Sequence, residues 1–146
     1  MLRITAQLLS LGAFGASSVH NAVLESFALH ARNLLHFLYP ENEKKDDVLA
    51  CDFFDDPDTW TNLRPDVSAT LKEVRRKTNK QCAHVTYERI RLESQPERKG
   101  WKFGQIAVGI EQIIGMFIRN VPPDRLHRCW RTPEQLGGIA IGGNAQ

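Results

Sequence analysis

The sequence predicts an all-α fold, an up-and-down bundle of about four to five helices. Three long segments repeat apolar residues at gaps of three and four, which is the period of an α-helix. They run from about Ser18 to Tyr39, from near Asp66 or Ser68 to about Leu92, and from Lys102 to about Arg119. No stretch of useful length alternates apolar and polar residues as a half-buried strand does. A layered helical bundle is the architecture that buries such apolar faces.

Composition is that of an ordinary folded domain. The chain has 146 residues, of which 42% are hydrophobic and 25% charged, and its formal net charge is +2. These values exclude a disordered chain, a collagen-like repeat and a disulfide-rich miniprotein. Because acidic and basic residues nearly balance, attraction to nucleic acid must come from a local patch.

The first long helix has clear ends and a clear buried face. Either Ser17 or Ser18 can cap its start, and Pro40 prevents its continuation. Its apolar positions fall on one arc: Val23, Leu24, Phe27, Ala31, Leu34, Leu35 and Leu38. On the opposite side lie the polar residues Glu25, Arg32 and His36. Between Glu41 and Pro65 the pattern ends, which predicts a long packed connection with one short helical turn, anchored by Phe53, Phe54 and Trp60.

The middle helix has the most informative polar surface. Its apolar stripe is formed by Leu71, Val74, Thr78, Cys82 and Val85. His84 projects from another side, within about 40° of the side chains of Glu73, Lys77, Lys80, Glu88 and Arg91. An imidazole beside fixed positive charge suits general acid–base chemistry on a phosphodiester. The competing interpretation is a solvated helix face that happens to contain a histidine.

The remaining segments are shorter. A short helix is expected at the amino terminus, and another between Asp124 and Trp130, beyond Pro122 and Pro123, which end the third long helix. Residues 1–131 are therefore expected to form a single domain, and residues 132–146 a loose Gly-rich tail.

Cysteine usage and hydropathy predict a cytoplasmic protein without a membrane segment. Cys51, Cys82 and Cys129 are odd in number and form no Cys-x-x-Cys pair, as is typical of reduced thiols. The first 16 residues only partly resemble a signal peptide, because polar residues interrupt a short apolar run. His127 and Cys129 could contact a metal, but no second ligand pair accompanies them, so no metal or other cofactor is expected.

Two segments resemble the HEPN superfamily (higher eukaryotes and prokaryotes nucleotide-binding). They are the run from Leu24 to Leu35, LESFALHARNLL, and the run from Arg75 to Arg89, RRKTNKQCAHVTYER. The resemblance covers about residues 18 to 120 and is greatest to small bacterial members. It implies a HEPN-like helical domain. Active members are metal-independent endoribonucleases. Their motif is an arginine, then four to six intervening residues, then a histidine, and two protomers pair these motifs into one composite site.

The resemblance implies a set of site residues in this chain. His84 matches the histidine of the motif, whereas seven residues separate it from Arg76. Asn79 stands at the four-residue spacing but projects about 140° away on a straight helix. The expected catalytic residues are His84, Lys80, Arg76 and Asn79, and the expected RNA-binding residues are Arg32, Asn33, Tyr87 and Arg91.

Three functions remain open from the sequence. One is a metal-independent endoribonuclease of a toxin or defence type, which would act as a homodimer on RNA and could have an antitoxin partner. A second is an inert HEPN-like module for interaction, dimerisation or nucleotide binding. A third is an unrelated helical protein whose charged face is only solvated surface.

Overall fold

A computed structural model of the protein describes residues 1–78 and 100–131. These ranges contain no strand and five α-helices, which confirms the all-α bundle. The helices are α1 (Leu2–Ser10), α2 (Ser18–Leu38), α3 (Asp58–Leu63), α4 (Ala69–Lys77) and α5 (Phe103–Asn120). Three short 3-10 turns accompany them: Ala50–Phe53, Pro123–Arg125 and Arg128–Trp130. Within the same ranges, no helix combines the length and hydropathy needed to span a bilayer.

The three core helices alternate in direction. Phe27, early in α2, contacts Phe103 at the start of α5, with ring centroids 5.2 Å apart. Later in the same helices, Phe37 contacts Phe117, with ring centroids 5.1 Å apart. Helices α2 and α5 therefore run in the same direction. Helix α4 runs the opposite way. Its early residue Leu71 lies against Gly109 in the middle of α5, whereas its last residue, Lys77, contacts Trp101 just before α5 begins. Helix α1 packs on both α2 and α5.

Helix α2 forms where the sequence predicts it. Of the two candidate caps, Ser17 is the one used: its Oγ accepts a hydrogen bond from the backbone N–H of His20, at 3.2 Å. The helix ends at Leu38, two residues before Pro40. Its buried residues are Phe27, Ala28, Ala31, Leu35 and Leu38, all but one of them on the predicted apolar arc.

Five aromatic rings form the centre of the core at one end of the bundle. Phe117 of α5 lies 5.1 to 6.1 Å, between ring centroids, from the other four, which are Phe37, Phe53, Phe54 and Trp60. We call these five residues the aromatic cluster. Most of its contacts are edge-to-face, the arrangement that ring quadrupoles favour. The cluster joins α5, α2 and the connection between α2 and α4.

That connection contains more helix than the single turn predicted. A 3-10 turn at Ala50–Phe53 is followed by α3, which carries Trp60 into the core with only 1% of its surface exposed. The indole Nε1–H donates to the carbonyl oxygen of Leu38, at 2.9 Å, so its burial leaves no unpaired donor. The predicted anchoring by Phe53, Phe54 and Trp60 is confirmed.

Three further predictions have different outcomes. Helix α4 begins as expected, capped by Ser68 Oγ, which accepts from Leu71 N–H at 3.3 Å; the rest of the middle helix that we predicted, from residue 79 onward, lies outside the described residues. The predicted helix between Asp124 and Trp130 is wrong. Two 3-10 turns stand there instead, because Leu126 and His127 between them adopt extended backbone. The predicted tail, 132–146, is also outside the described residues.

Candidate functional site

The structure describes three of the eight residues predicted to form the site. Arg32 and Asn33 lie on α2, and Arg76 lies on α4. The other five fall outside the described residues, and their roles stay predictions: Asn79, Lys80, His84, Tyr87 and Arg91.

Arg32 and Asn33 line a groove where the end of α2 meets the following loop and α4. The groove has a volume of about 400 Å³. Its lining is polar and is formed by Arg32, Asn33, His36, Glu41, Asn42, Lys44, Asp47 and Arg75. We call it the polar groove. Two of its residues are predicted RNA-binding residues, which the structure therefore brings together.

Helical spacing explains how α2 contributes to this groove. Positions 32, 33 and 36 are three and four residues apart, so they share one side of the helix. The buried residues Ala31 and Leu35 occupy the other side. Arg32 and Asn33 are exposed, as predicted, whereas His36 is half-buried because the loop after α2 folds back over it.

Asp47 fastens that loop to α2. Its Oδ2 lies 2.9 Å from Nε2 of His36 and accepts the backbone N–H of Lys44 at 2.8 Å. These hydrogen bonds, first from Lys44 and then from His36, lower the pKa of the Asp47 carboxyl group below its ordinary value. Asn42 makes the turn possible with a φ of 57°, a left-handed conformation that asparagine tolerates. The contact holds Lys44 at the edge of the groove.

Arg75 forms the opposite wall and also satisfies the end of α2. Its guanidinium donates to the carbonyl oxygens of Leu35, at 3.2 Å, and Tyr39, at 2.5 Å, and is paired with Glu41. The last carbonyls of a helix have no partner within the helix, so a cation here stabilises its C-terminus. Arg75 is therefore a structural cation of the groove.

Unlike Arg75, the other two cations of the groove have no bonded partner in the described ranges. Within residues 1–78 and 100–131, the side chains of Arg32 and Lys44 form neither a hydrogen bond nor an ion pair. The lining thus carries three cations, two of them without a bonded partner, against the two carboxylates Glu41 and Asp47, both of which are engaged. This leaves local positive charge for an anionic ligand.

Arg76 points to a different environment from its neighbour Arg75. Its guanidinium donates twice to the Glu73 carboxylate, at 2.8 and 2.9 Å, and this bonding lowers the pKa of Glu73. Arg76 is not among the residues that line the polar groove. The structure therefore does not bring Arg76 together with Arg32 and Asn33.

The expected outward cationic face is wrong at Lys77. Only 12% of this side chain is exposed. Residues 100 and 101 pack over it: the ammonium donates to the carbonyl oxygen of Gly100, at 2.9 Å, and lies 5.7 Å from the centre of the Trp101 ring. A long aliphatic stem that covers apolar surface explains the burial.

Three residues that line the polar groove were not predicted from the sequence: Lys44, Asp47 and Arg75. The clustered aspartates of the connection indicated only a polar loop, and no local pattern links Asp47 to His36, 11 residues away. The part of the chain that the structure describes contains no group of three His, Cys, Asp or Glu side chains placed to hold a metal ion.

Comparison of the chain with protein-family models, with curated proteins and with solved structures found no match.

Proposed function

We propose that this protein binds RNA at the polar groove, as a HEPN-like helical domain. The main support for the proposal is that two cations at the polar groove, Arg32 and Lys44, have no bonded partner among the described residues. A guanidinium can hold two phosphate oxygens at once, and an ammonium adds a point charge. Asn33 and Asn42 provide amide donors and acceptors beside them, as contacts to bases or sugars require.

Size and charge favour a single strand over a duplex. A volume of about 400 Å³ falls in the range of sites for small ligands, so it suits one nucleotide unit at a time. The net charge of the whole chain is only +2, so a protein-wide field cannot supply the affinity. Binding must therefore depend on the few cations of the groove, and each should matter measurably.

A second candidate is metal-independent cleavage of the bound RNA, with His84 as general acid or base. The last turn of α4 favours it, because it is basic (Arg75, Arg76 and Lys77) and leads directly toward Lys80 and His84 in the sequence. The RNA 2′-hydroxyl would attack the adjacent phosphorus, the bond to the 5′-oxygen would break, and a cyclic phosphate would form. Lys80 or Arg76 would stabilise the developing charge, with Asn79, Tyr87 and Arg91 nearby in the sequence.

This activity would require two copies of the chain, since one motif per protomer supplies half of a composite site. It would suit a cytoplasmic toxin or defence protein. In the alternative proposal, the same domain is an inert binding module for RNA or a nucleotide.

Binding is tested by fluorescence anisotropy with a labelled single-stranded RNA, over a series of salt concentrations. We expect Arg32→Ala and Lys44→Ala each to weaken binding roughly three- to tenfold and to reduce the salt slope by about one. The matched control is Arg119→Ala, which removes an exposed arginine of α5 that does not line the groove. Equal losses from Arg32→Ala and Arg119→Ala would contradict the proposal.

Cleavage is tested with the same RNA in EDTA. The wild-type protein should yield products that end in a cyclic phosphate, and His84→Ala should abolish them while it leaves RNA binding intact. Equal cleavage by both proteins would reject His84 as the catalytic residue. Binding without cleavage by the wild type would favour the inert module, and a strictly monomeric protein in light scattering would exclude the composite site.

A further inference from the structure

A cysteine and a histidine meet at the end of the second described range, away from the polar groove. The Sγ atom of Cys129 lies 2.9 Å from Nδ1 of His127. Both residues are exposed. Cys129 lies in the 3-10 turn Arg128–Trp130, and His127 is the residue that caps the start of this turn. No third metal ligand joins them among the described residues, so the pair is better understood by the chemistry of a thiol and a base.

The backbone determines which nitrogen of His127 can act as that base. Nδ1 accepts the backbone N–H of Cys129, at 3.4 Å, so the lone pair of the neutral ring is on Nδ1 and its proton is on Nε2. The same Nδ1 is the atom within reach of the Cys129 thiol. The thiol proton therefore has an acceptor already in place, which is the arrangement that activates a cysteine nucleophile.

The other cysteine within the described ranges has the opposite environment. Cys51 is partly buried, and its Sγ faces the carboxylate of Asp52 at 4.0 Å. Burial, followed by the negative charge of Asp52, raises the pKa of the Cys51 thiol, so it forms less thiolate. The chain thus provides its own unreactive reference thiol.

Basic residues flank Cys129 in the chain. Arg128 precedes it and is exposed, and Arg131 lies two residues after it, with its Nε–H donating to the carbonyl oxygen of Leu126. Arg125 is paired with Asp55. Basic residues on both sides of the thiol attract a negatively charged reaction partner.

We propose that Cys129 is a modification site, at which His127 promotes exchange with an anionic low-molecular-weight disulfide. The thiol proton passes to Nδ1 of His127, and the resulting thiolate attacks one sulfur of the disulfide. The S–S bond of the reagent breaks as the new bond to Sγ forms. The departing thiolate then takes the proton from Nδ1. Cys129 ends in a mixed disulfide, and one equivalent of free thiol is released, so atoms and electrons balance.

The test uses the full chain, glutathione disulfide as the probe, and mass spectrometry of the cysteine-containing peptides at neutral pH. Cys129 should form its mixed disulfide at least about tenfold faster than Cys51. The decisive variant is His127→Asn. Its side-chain oxygen can still accept the backbone N–H of Cys129 and keep the turn, but it cannot take the thiol proton. This variant should react several-fold more slowly at Cys129 and unchanged at Cys51.

Two further measurements test whether the reactivity of Cys129 depends on the folded turn and on the charge of the disulfide. In a denaturant the advantage of Cys129 over Cys51 should disappear, because it depends on the folded turn. Replacement of glutathione disulfide by a neutral disulfide should lower the rate at Cys129 more than at Cys51. Equal rates for the wild type and His127→Asn, or a Cys129 no faster than Cys51, would overturn the proposal. RNA binding plays no part in this test.

Discussion

The aromatic cluster and the polar groove lie at the same end of α2 and are organised in opposite ways. Two adjacent residues of α2 belong to the two regions: Phe37 packs in the aromatic cluster, and His36 lines the polar groove. In the cluster, five rings fill space around Phe117. In the groove, side chains surround an open volume of about 400 Å³ and leave two cations without bonded partners among the described residues.

One helix thus packs into the core with one face and lines an open polar groove with another, and under the proposed function the groove face is the one that binds RNA. Backbone carbonyl groups at the C-terminal end of α2 accept hydrogen bonds from residues of both regions. Leu38 accepts from Trp60 and from Arg64, whereas Leu35 and Tyr39 accept from Arg75. Substitutions in the cluster should therefore change the free energy of unfolding, substitutions of Arg32 should change RNA binding, and Arg75 should affect both.

The largest expected effect is that of Phe117→Ala. The residue is 5% exposed and touches four other rings, so its removal leaves a cavity and should cost about 3–5 kcal/mol of unfolding free energy. Urea denaturation measures it. The control is Val108→Ala on the same helix. Val108 is 52% exposed, so the expected change in unfolding free energy is within about 0.5 kcal/mol. A similar loss in both variants would show that the cluster is not the centre of the core.

Arg75→Ala should have an intermediate effect. Only 16% of the side chain is exposed, and its loss leaves the carbonyls of Leu35 and Tyr39 without their cationic donor. We expect a loss of about 1.5–3 kcal/mol, again from urea denaturation. The control Lys72→Ala removes an exposed cation of the same helix and should change the free energy of unfolding by about 0.5 kcal/mol or less. If Lys72→Ala proved the more destabilising of the two, the structural role of Arg75 would be wrong.

The smallest effect concerns pH. Because the pKa of Asp47 is lower in the folded state than its ordinary value, the carboxylate stabilises the fold above the ordinary carboxyl range. That contribution is lost as pH falls through this range toward the lower pKa of the folded state. Asp47→Asn should therefore show a smaller drop in Tm than the wild type between pH 7 and about pH 3. Asp46→Asn is the control, since among the described residues Asp46 makes no such contacts, and it should behave like the wild type.

Local patterns predicted most of the fold. The spacing of apolar residues placed α2 and α5 correctly because a helix face depends only on nearby positions. The choice between Ser17 and Ser18 as cap, and the presence of α3, depended on packing that spacing alone does not encode.

The candidate site was predictable only on its α2 side. Arg32 and Asn33 follow from helical geometry, but Asp47 and Arg75 reach α2 through the path of a loop and across 40 residues of sequence. No periodicity carries that information. The roles of His84 and Lys80 remain predictions from the sequence.

Occupation of the polar groove by RNA can be observed in an NMR titration of ¹⁵N-labelled protein with a short single-stranded RNA. We expect the amide signals of Arg32, Asn33, Asn42 and Lys44 to shift together and to saturate at one RNA concentration. The signals of Ile4 and Val108, exposed apolar residues of α1 and α5, should remain unchanged. Shifts at Ile4 and Val108 with a silent groove would contradict RNA binding at the groove.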